Sequence, residues 1–207
     1  MTKENEVKKY VQFYSTMLGK RILDHETRFV DEKLIGCKKV LSIGCGPAVL
    51  EARLHELHPD MNIIGLDNSK EMIKQAPKEI FIVYGDAQHL EFEDSSFDAV
   101  LYVTSLEFIE NIQKAIKETY RVLKVKGLLL ILMLNPKSRY FQEKYNDNTS
   151  YIRKNVKYTN INSIQKVISQ YFTIKNEEYF LGITEQEIVD DNNQTIASLY
   201  VLEGKKI

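Results

Sequence analysis

Between Lys39 and Leu134 short apolar runs take turns with amphipathic stretches. Val40-Leu41-Ser42-Ile43, Ile63-Ile64-Gly65-Leu66 and Ile80-Phe81-Ile82-Val83-Tyr84 have the length and near-continuous apolarity of buried strands. The pattern predicts strands over 39–44, 62–67, 79–84, 98–103 and 127–134, with helices over 48–57, 69–76 and 109–123. Such alternation implies a parallel sheet with helices on both faces. Ahead of it, residues 6–35 read as two helical segments broken near Gly19, with Tyr10, Tyr14, Ile22 and Phe29 among their apolar positions. After Asn135-Pro136 the pattern lapses for some twenty-five residues. A helical stretch from Ile161 to Phe172 follows, then β-rich runs over 173–183 and 196–203, with Asp190-Asp191-Asn192-Asn193 supplying turn chemistry between them.

The first strand breaks into Gly44-Cys45-Gly46, and Pro47 suits the opening turn of the helix behind it. Two glycines let the backbone turn sharply and approach a ligand, which the free N–H groups of a helix start would face. The second run ends in Asp67, 23 positions after Gly44, where a carboxylate can accept both hydroxyls of a ribose. The plainer role for Asp67 is to cap the helix beginning near Ser69. The third run ends in Gly85-Asp86-Ala87, so three strand ends converge on one crevice suited to a nucleoside. A dinucleotide is disfavoured, because Val49 stands at the third glycine of G-x-G-x-x-G.

These elements continue in register through Asp67-Asn68-Ser69-Lys70-Glu71-Met72, Phe97-Asp98-Ala99-Val100, Ser105-Leu106-Glu107-Phe108-Ile109 and Arg121-Val122-Leu123-Lys124. The set resembles the class I S-adenosylmethionine-dependent methyltransferases (type 11-like). The resemblance implies one α/β Rossmann-like domain over 1–207: a mostly parallel seven-stranded sheet with helices on both faces, an antiparallel C-terminal hairpin and a helical N-terminal cap over 1–36. It implies S-adenosylmethionine as cofactor and S-adenosylhomocysteine as product. Gly44, Cys45, Gly46, Asp67, Asn68, Met72, Asp86, Ala87 and Val103 are then the expected cofactor contacts, with Asp86 and the Ala87 N–H reading the adenine; Met72 can equally be ordinary core. Ser42 stands where the family's first strand carries an acid, and Ala48 where its loop often has a third glycine, two departures that bear on cofactor affinity and leave its strength open. Phe108 and Thr104 replace a histidine and a glutamate of related quinone-biosynthesis enzymes, which argues against a metal-assisted mechanism of that type.

The family resemblance makes the N-terminal helices and the segment after the fifth strand walls of the acceptor pocket, so Tyr10, Tyr14 and Tyr140 are expected there, and 137–160 reads as an acceptor-side lid or insertion. Strand periodicity turns Tyr102 and Thr104 to one side and Val103 to the other, at the pocket end of their strand. Glu107 and Tyr14 are candidates to assist proton transfer; the plainer reading of Glu107 is a solvated helix-start residue, and Glu26 reads as surface. Cys37 and Cys45 lack metal-ligand spacing, the four histidines are scattered, and no metal is expected.

Basic and acidic residues number 28 and 29, so no global field favours nucleic acid or membrane. The first six residues hold no apolar signal core and the run Leu128–Leu134 is too short for a span, giving a cytoplasmic expectation with no membrane partner. Residues 137–158 carry six basic side chains against Glu143 and Asp147, interleaved with aromatics. That leaves three readings: a small-molecule methyltransferase, an RNA or protein methyltransferase using this basic-aromatic segment, and a protein that binds the cofactor without chemistry.

Overall fold

A computed structural model describes residues 3–183, 187–189 and 192–206, with the side chains of Lys3 and Glu6 outside the described set. The chain enters through α1 (Lys3–Ser15) and α2 (Met17–Lys33), then builds β1 (Lys39–Ile43), α3 (Val49–Leu57), β2 (Asn62–Asp67), α4 (Lys70–Ile73) and β3 (Phe81–Tyr84). β4 (Phe97–Val103), a single 3-10 turn at Leu106–Phe108, α5 (Ile112–Val122) and β5 (Leu123–Leu134) follow. α6 (Arg139–Asn146), α7 (Tyr151–Asn155), α8 (Ile161–Ile168), β6 (Phe172–Ile183), β7 (Ile188–Val189) and β8 (Ala197–Lys206) complete it.

The strands form one sheet in the order β3-β2-β1-β4-β5-β8-β6-β7. β1 to β5 run parallel, while β8 is antiparallel to both β5 and β6. Eight strands are present rather than the expected seven: β7 pairs Ile188 and Val189 with Ile183 and Gly182, and two residues are too few to leave a periodic signature. Of the expected turn residues, Asp190 and Asp191 lie outside the described residues, while the Asn193 carbonyl accepts from the N–H groups of Ile196 and Ala197.

Apolar side chains bury on both faces. Leu41, Ile43, Val100 and Tyr102 pack with Ala115, Ile116 and Ile164 of α5 and α8 on one side. Val40, Ala99, Leu101 and Leu130 pack with Ile22, Val30, Leu54 and Phe141 of α2, α3 and α6 on the other. The N-terminal helices part at Thr16, whose hydroxyl accepts from the N–H of Gly19, the residue near which the sequence pattern places the break. Gly19 lies buried inside α2, where an added Cβ would come 2.1 Å from the Phe13 carbonyl oxygen, so its small size is what lets α1 fold back tightly. The α-helix expected over 69–76 stops at Ile73, and the chain runs on to Ala76 in tighter turns, the Gln75 N–H donating to the Met72 carbonyl and the Ala76 N–H to that of Ile73, ahead of Pro77.

Because β2 leaves β1 on one side and β4 on the other, the order reverses at β1, where α/β sheets open a crevice at their carboxyl ends. Near the amino ends of β4 and β5, Arg121 donates to the carbonyls of Leu90 and Phe92 and to the Asp94 carboxylate, holding the loop that returns from Asp86 to β4.

Candidate active site

The glycine loop is fastened to β2: the N–H groups of Gly44 and Cys45 both donate to the Leu66 carbonyl, at 2.7 and 3.2 Å. Gly44 has φ +72°, and a Cβ there would lie 2.5 Å from Cβ of Ser105, whose hydroxyl donates to the Ile43 carbonyl at 2.6 Å. Strand end, loop and the β4 exit are thereby locked together. Ala48 takes φ +52°, the left-handed region that a glycine would enter without strain. Cys45 packs its sulfur against Gly65, and burial holds its thiol well above the usual range, so it acts as a small filler.

Asp67, at the tip of β2, is buried and already directed: Oδ2 accepts from the Gly46 N–H and Oδ1 from the Ser69 N–H, each at 2.8 Å. Burial raises its pKa, and the three neighbouring backbone N–H groups pull the other way. Asp67 pairs in register with Tyr84, and the Gly85 N–H donates to the Asp67 carbonyl at 3.1 Å, so Asp86 follows on the same rim. Asp86 is exposed and accepts from the Gln88 backbone and side chain at 2.9 and 3.0 Å. Ala87 is buried beside it, Asn68 is exposed, and the Met72 sulfur faces Gly46.

A hollow of about 370 Å³, counted to its open mouth, lies beside Gly44. Tyr10 and Tyr14 of α1 and Leu23 and Glu26 of α2 form its outer wall, Ser42, Glu51 and the loop its floor, and Val103 and Thr104 its far side. Tyr10 is 39 % exposed, yet its hydroxyl lies 3.3 Å from that of Tyr14, and burial of this end holds both phenols above their ordinary pKa. The Ser42 hydroxyl donates to Oε1 of Glu51 at 2.5 Å, and burial pushes the Glu51 carboxyl up to about 7. Burial, with the Glu51 charge adding to it, raises Glu26 to about 8.

Three expectations need correction. Glu26 is 6 % exposed and lines the hollow instead of the surface. Its position was legible, since Ile22, Glu26 and Val30 follow a spacing of four along the buried stripe of α2. Tyr102 does not reach the hollow: it is fully buried against α5, with its hydroxyl 2.7 Å from that of Thr119. Thr104 parts from it because β4 ends at Val103 and Thr104 turns to φ +45°, which breaks strand alternation and brings Val103 and Thr104 to the same wall. Glu107 is buried, not solvated; Oε1 accepts from the Leu134 N–H at 2.8 Å, Oε2 has no partner, and burial lifts its pKa to about 7. Glu51 was missed altogether, although its neighbours Leu50 and Leu54 mark it as inward-facing.

Tyr140 on α6 lies within electrostatic reach of Glu26. Around it the basic segment engages many of its charges internally: Arg139 pairs with Glu143, Lys157 with Glu110, and Arg153 covers the Tyr145 ring at 4.6 Å. Among the described residues no group of three or more His, Cys, Asp or Glu side chains is placed to hold a metal. No described helix is long and apolar enough to cross a membrane.

Residues 41–131, which carry the loop, Asp67, Asp86 and β4, match the family described as "Methyltransferase domain". The matched segment supports the class I S-adenosylmethionine-dependent methyltransferases, the family that the sequence motifs resemble. Its similarity to a demethylmenaquinone methyltransferase of Thermotoga maritima is 37 % identity over 112 residues, 52 % of this chain and 48 % of that protein. A malonyl-[acyl-carrier protein] O-methyltransferase of Legionella pneumophila is 30 % identical over 108 residues, 49 % of this chain and 38 % of that protein. The chain thus spans about half the length, or less, of these relatives. A solved Thermotoga maritima structure, "SAM-dependent methyltransferase, possible histamine N-methyltransferase", aligns over 99 % of this chain and 97 % of its own with TM-score 0.78 and 23 % identity, a likeness of fold. S-adenosylmethionine, with S-adenosylhomocysteine as product, is the cofactor that this likeness implies.

Proposed function

We propose that this chain transfers the methyl group of S-adenosylmethionine to a small-molecule acceptor by in-line displacement, and that it does so in the cytoplasm. The observation that carries the reading is the glycine loop at the strand reversal, which lines the hollow through Gly44 and Cys45 and donates to the buried Asp67 carboxylate through Gly46. Two free thiols suit a reducing compartment.

In this reading Asp67 accepts the ribose hydroxyls, and the Gly44–Gly46 loop lies against the methionyl end. Asp86 and the Ala87 N–H address the adenine, with Asn68 and Met72 at its faces and Val103 beside the reacting end. Glu51, steadied by Ser42, supplies on α3 the carboxylate missing from β1 and meets the methionyl ammonium. The cofactor brings a methyl group already activated on a sulfonium, whose departure leaves a neutral thioether. What remains for the protein is alignment and exclusion of water, worth up to ~7–11 kcal/mol. Tyr10, Tyr14 and Leu23 enclose the acceptor side and perform that exclusion.

Calorimetry with S-adenosylhomocysteine tests the reading, with an expected Kd of about 1–100 µM. Asp67→Ala is expected to weaken binding at least tenfold, about 1.4 kcal/mol. No heat up to about 1 mM ligand, the weak end of useful affinity, would overturn the assignment. Incubation of cell extract with labelled methyl donor then sorts acceptors: label is expected in small metabolites, and label confined to RNA or protein would displace the small-molecule reading.

A further inference from the structure

Charge in the hollow is unbalanced in one direction. Its lining includes Glu26 and Glu51 and, among the described residues, no lysine, arginine or histidine. The methionyl end of the cofactor brings a sulfonium, an ammonium and a carboxylate, a net charge of one that Glu51 alone offsets. Glu51 is placed for it, on the helix behind the glycine loop and hydrogen-bonded to Ser42 on β1. Glu26 is left over. It comes from α2, within electrostatic reach of Glu51, and no hydrogen-bond donor reaches its carboxylate among the described residues, although it is 6 % exposed.

A buried carboxylate without a partner is costly, and an incoming cation offsets that cost where an anion would add to it. The surroundings of Glu26 match a cation as well. Tyr10 and Tyr14 stand edge to face, with ring centroids 5.3 Å apart, and Tyr140 lies near, so aromatic rings accompany the carboxylate as they do in ammonium sites.

We propose that the acceptor is a small amine, seated as its ammonium on the Glu26 carboxylate beside the Tyr10 and Tyr14 rings and methylated on nitrogen. This rests on the methyl-transfer reading above and specifies its substrate class. Glu26 takes one proton from the bound ammonium, freeing the nitrogen lone pair. That pair forms the new N–C bond as the C–S bond breaks, and the sulfur keeps the bonding electrons and leaves as a neutral thioether. The product departs as an N-methylammonium ion, and the proton held on Glu26 passes to water, so one proton is released per turnover.

The test uses protein saturated with S-adenosylhomocysteine and a panel of primary alkyl and arylalkyl amines, each paired with the alcohol and the carboxylate of the same skeleton. At least one amine is expected to bind tenfold or more tightly than its alcohol, with the carboxylate weaker still. In Glu26→Gln that preference is expected to fall below threefold while S-adenosylhomocysteine affinity stays within twofold. The wild-type comparison stands whether or not the variant folds. With labelled methyl donor, the preferred amine is expected to become labelled on nitrogen. If S-adenosylhomocysteine binds yet no amine outperforms its alcohol, or the preference survives in Glu26→Gln, the amine assignment is overturned and methyl transfer stands. If S-adenosylhomocysteine itself fails to bind, both fall.

Discussion

At Gly44 a side chain has nowhere to go: φ is +72° and an added Cβ would sit 2.5 Å from Ser105. Gly44→Ala is expected to cost about 2–4 kcal/mol in urea unfolding, from left-handed strain plus overpacking. A loss below about 1 kcal/mol would show the loop more yielding than its geometry implies. Ala48 already bears such strain, so the glycine requirement at 44 comes from Ser105 as much as from the dihedral angle. Residues whose place follows from strand-end position, such as Asp67 and Gly44, could be located in the sequence because the apolar runs fix where the strand tips fall. Glu26 and Glu51 were legible only through their neighbours, since a lone glutamate on a helix is ordinarily solvent-facing; the buried stripe of α2 and the apolar residues beside Glu51 are the signals. Tyr102 and Thr104 misled for a different reason. Alternation holds only while the backbone stays extended, and Thr104 leaves it.

Between elements, the tight return of α1 onto α2 decides whether Tyr10 and Tyr14 reach the hollow at all. Gly19→Ala would drive a methyl group into the Phe13 carbonyl. That substitution is expected to loosen α1, raising protease cleavage before Thr16 several-fold and weakening acceptor binding. Affinity for S-adenosylhomocysteine should change less, since Asp67 and the loop are anchored to β2. Unaltered cleavage would place the helix junction elsewhere. The central alternation of strands and helices was legible because each buried strand is a continuous apolar run, whereas β7 is two residues long and α4 passes into tighter turns ahead of Pro77.

For the whole molecule, buried acids set how stability varies with pH. Glu26, Glu51 and Glu107 are raised from an ordinary 4.5 to about 8, 7 and 7 by burial. A carboxyl whose folded pKa is raised contributes fully while protonated in both states, below pH 4.5, and that contribution is lost as pH rises through the folded value. Glu26→Gln is therefore expected to gain on wild type as pH rises from about 4.5 and to level off above about 8, reaching on the order of 1–3 kcal/mol. Parallel thermal-unfolding curves for the two proteins across that range would remove Glu26 from the account. The strand order carries a further consequence for biosynthesis. β5, with its unbroken Leu128–Leu134 run, has β8 as its second neighbour, and β8 is made about seventy residues later. At ~5–20 residues per second a ribosome would leave that sticky margin uncovered for roughly 4–14 s, long enough for nascent chains to need shielding by a chaperone.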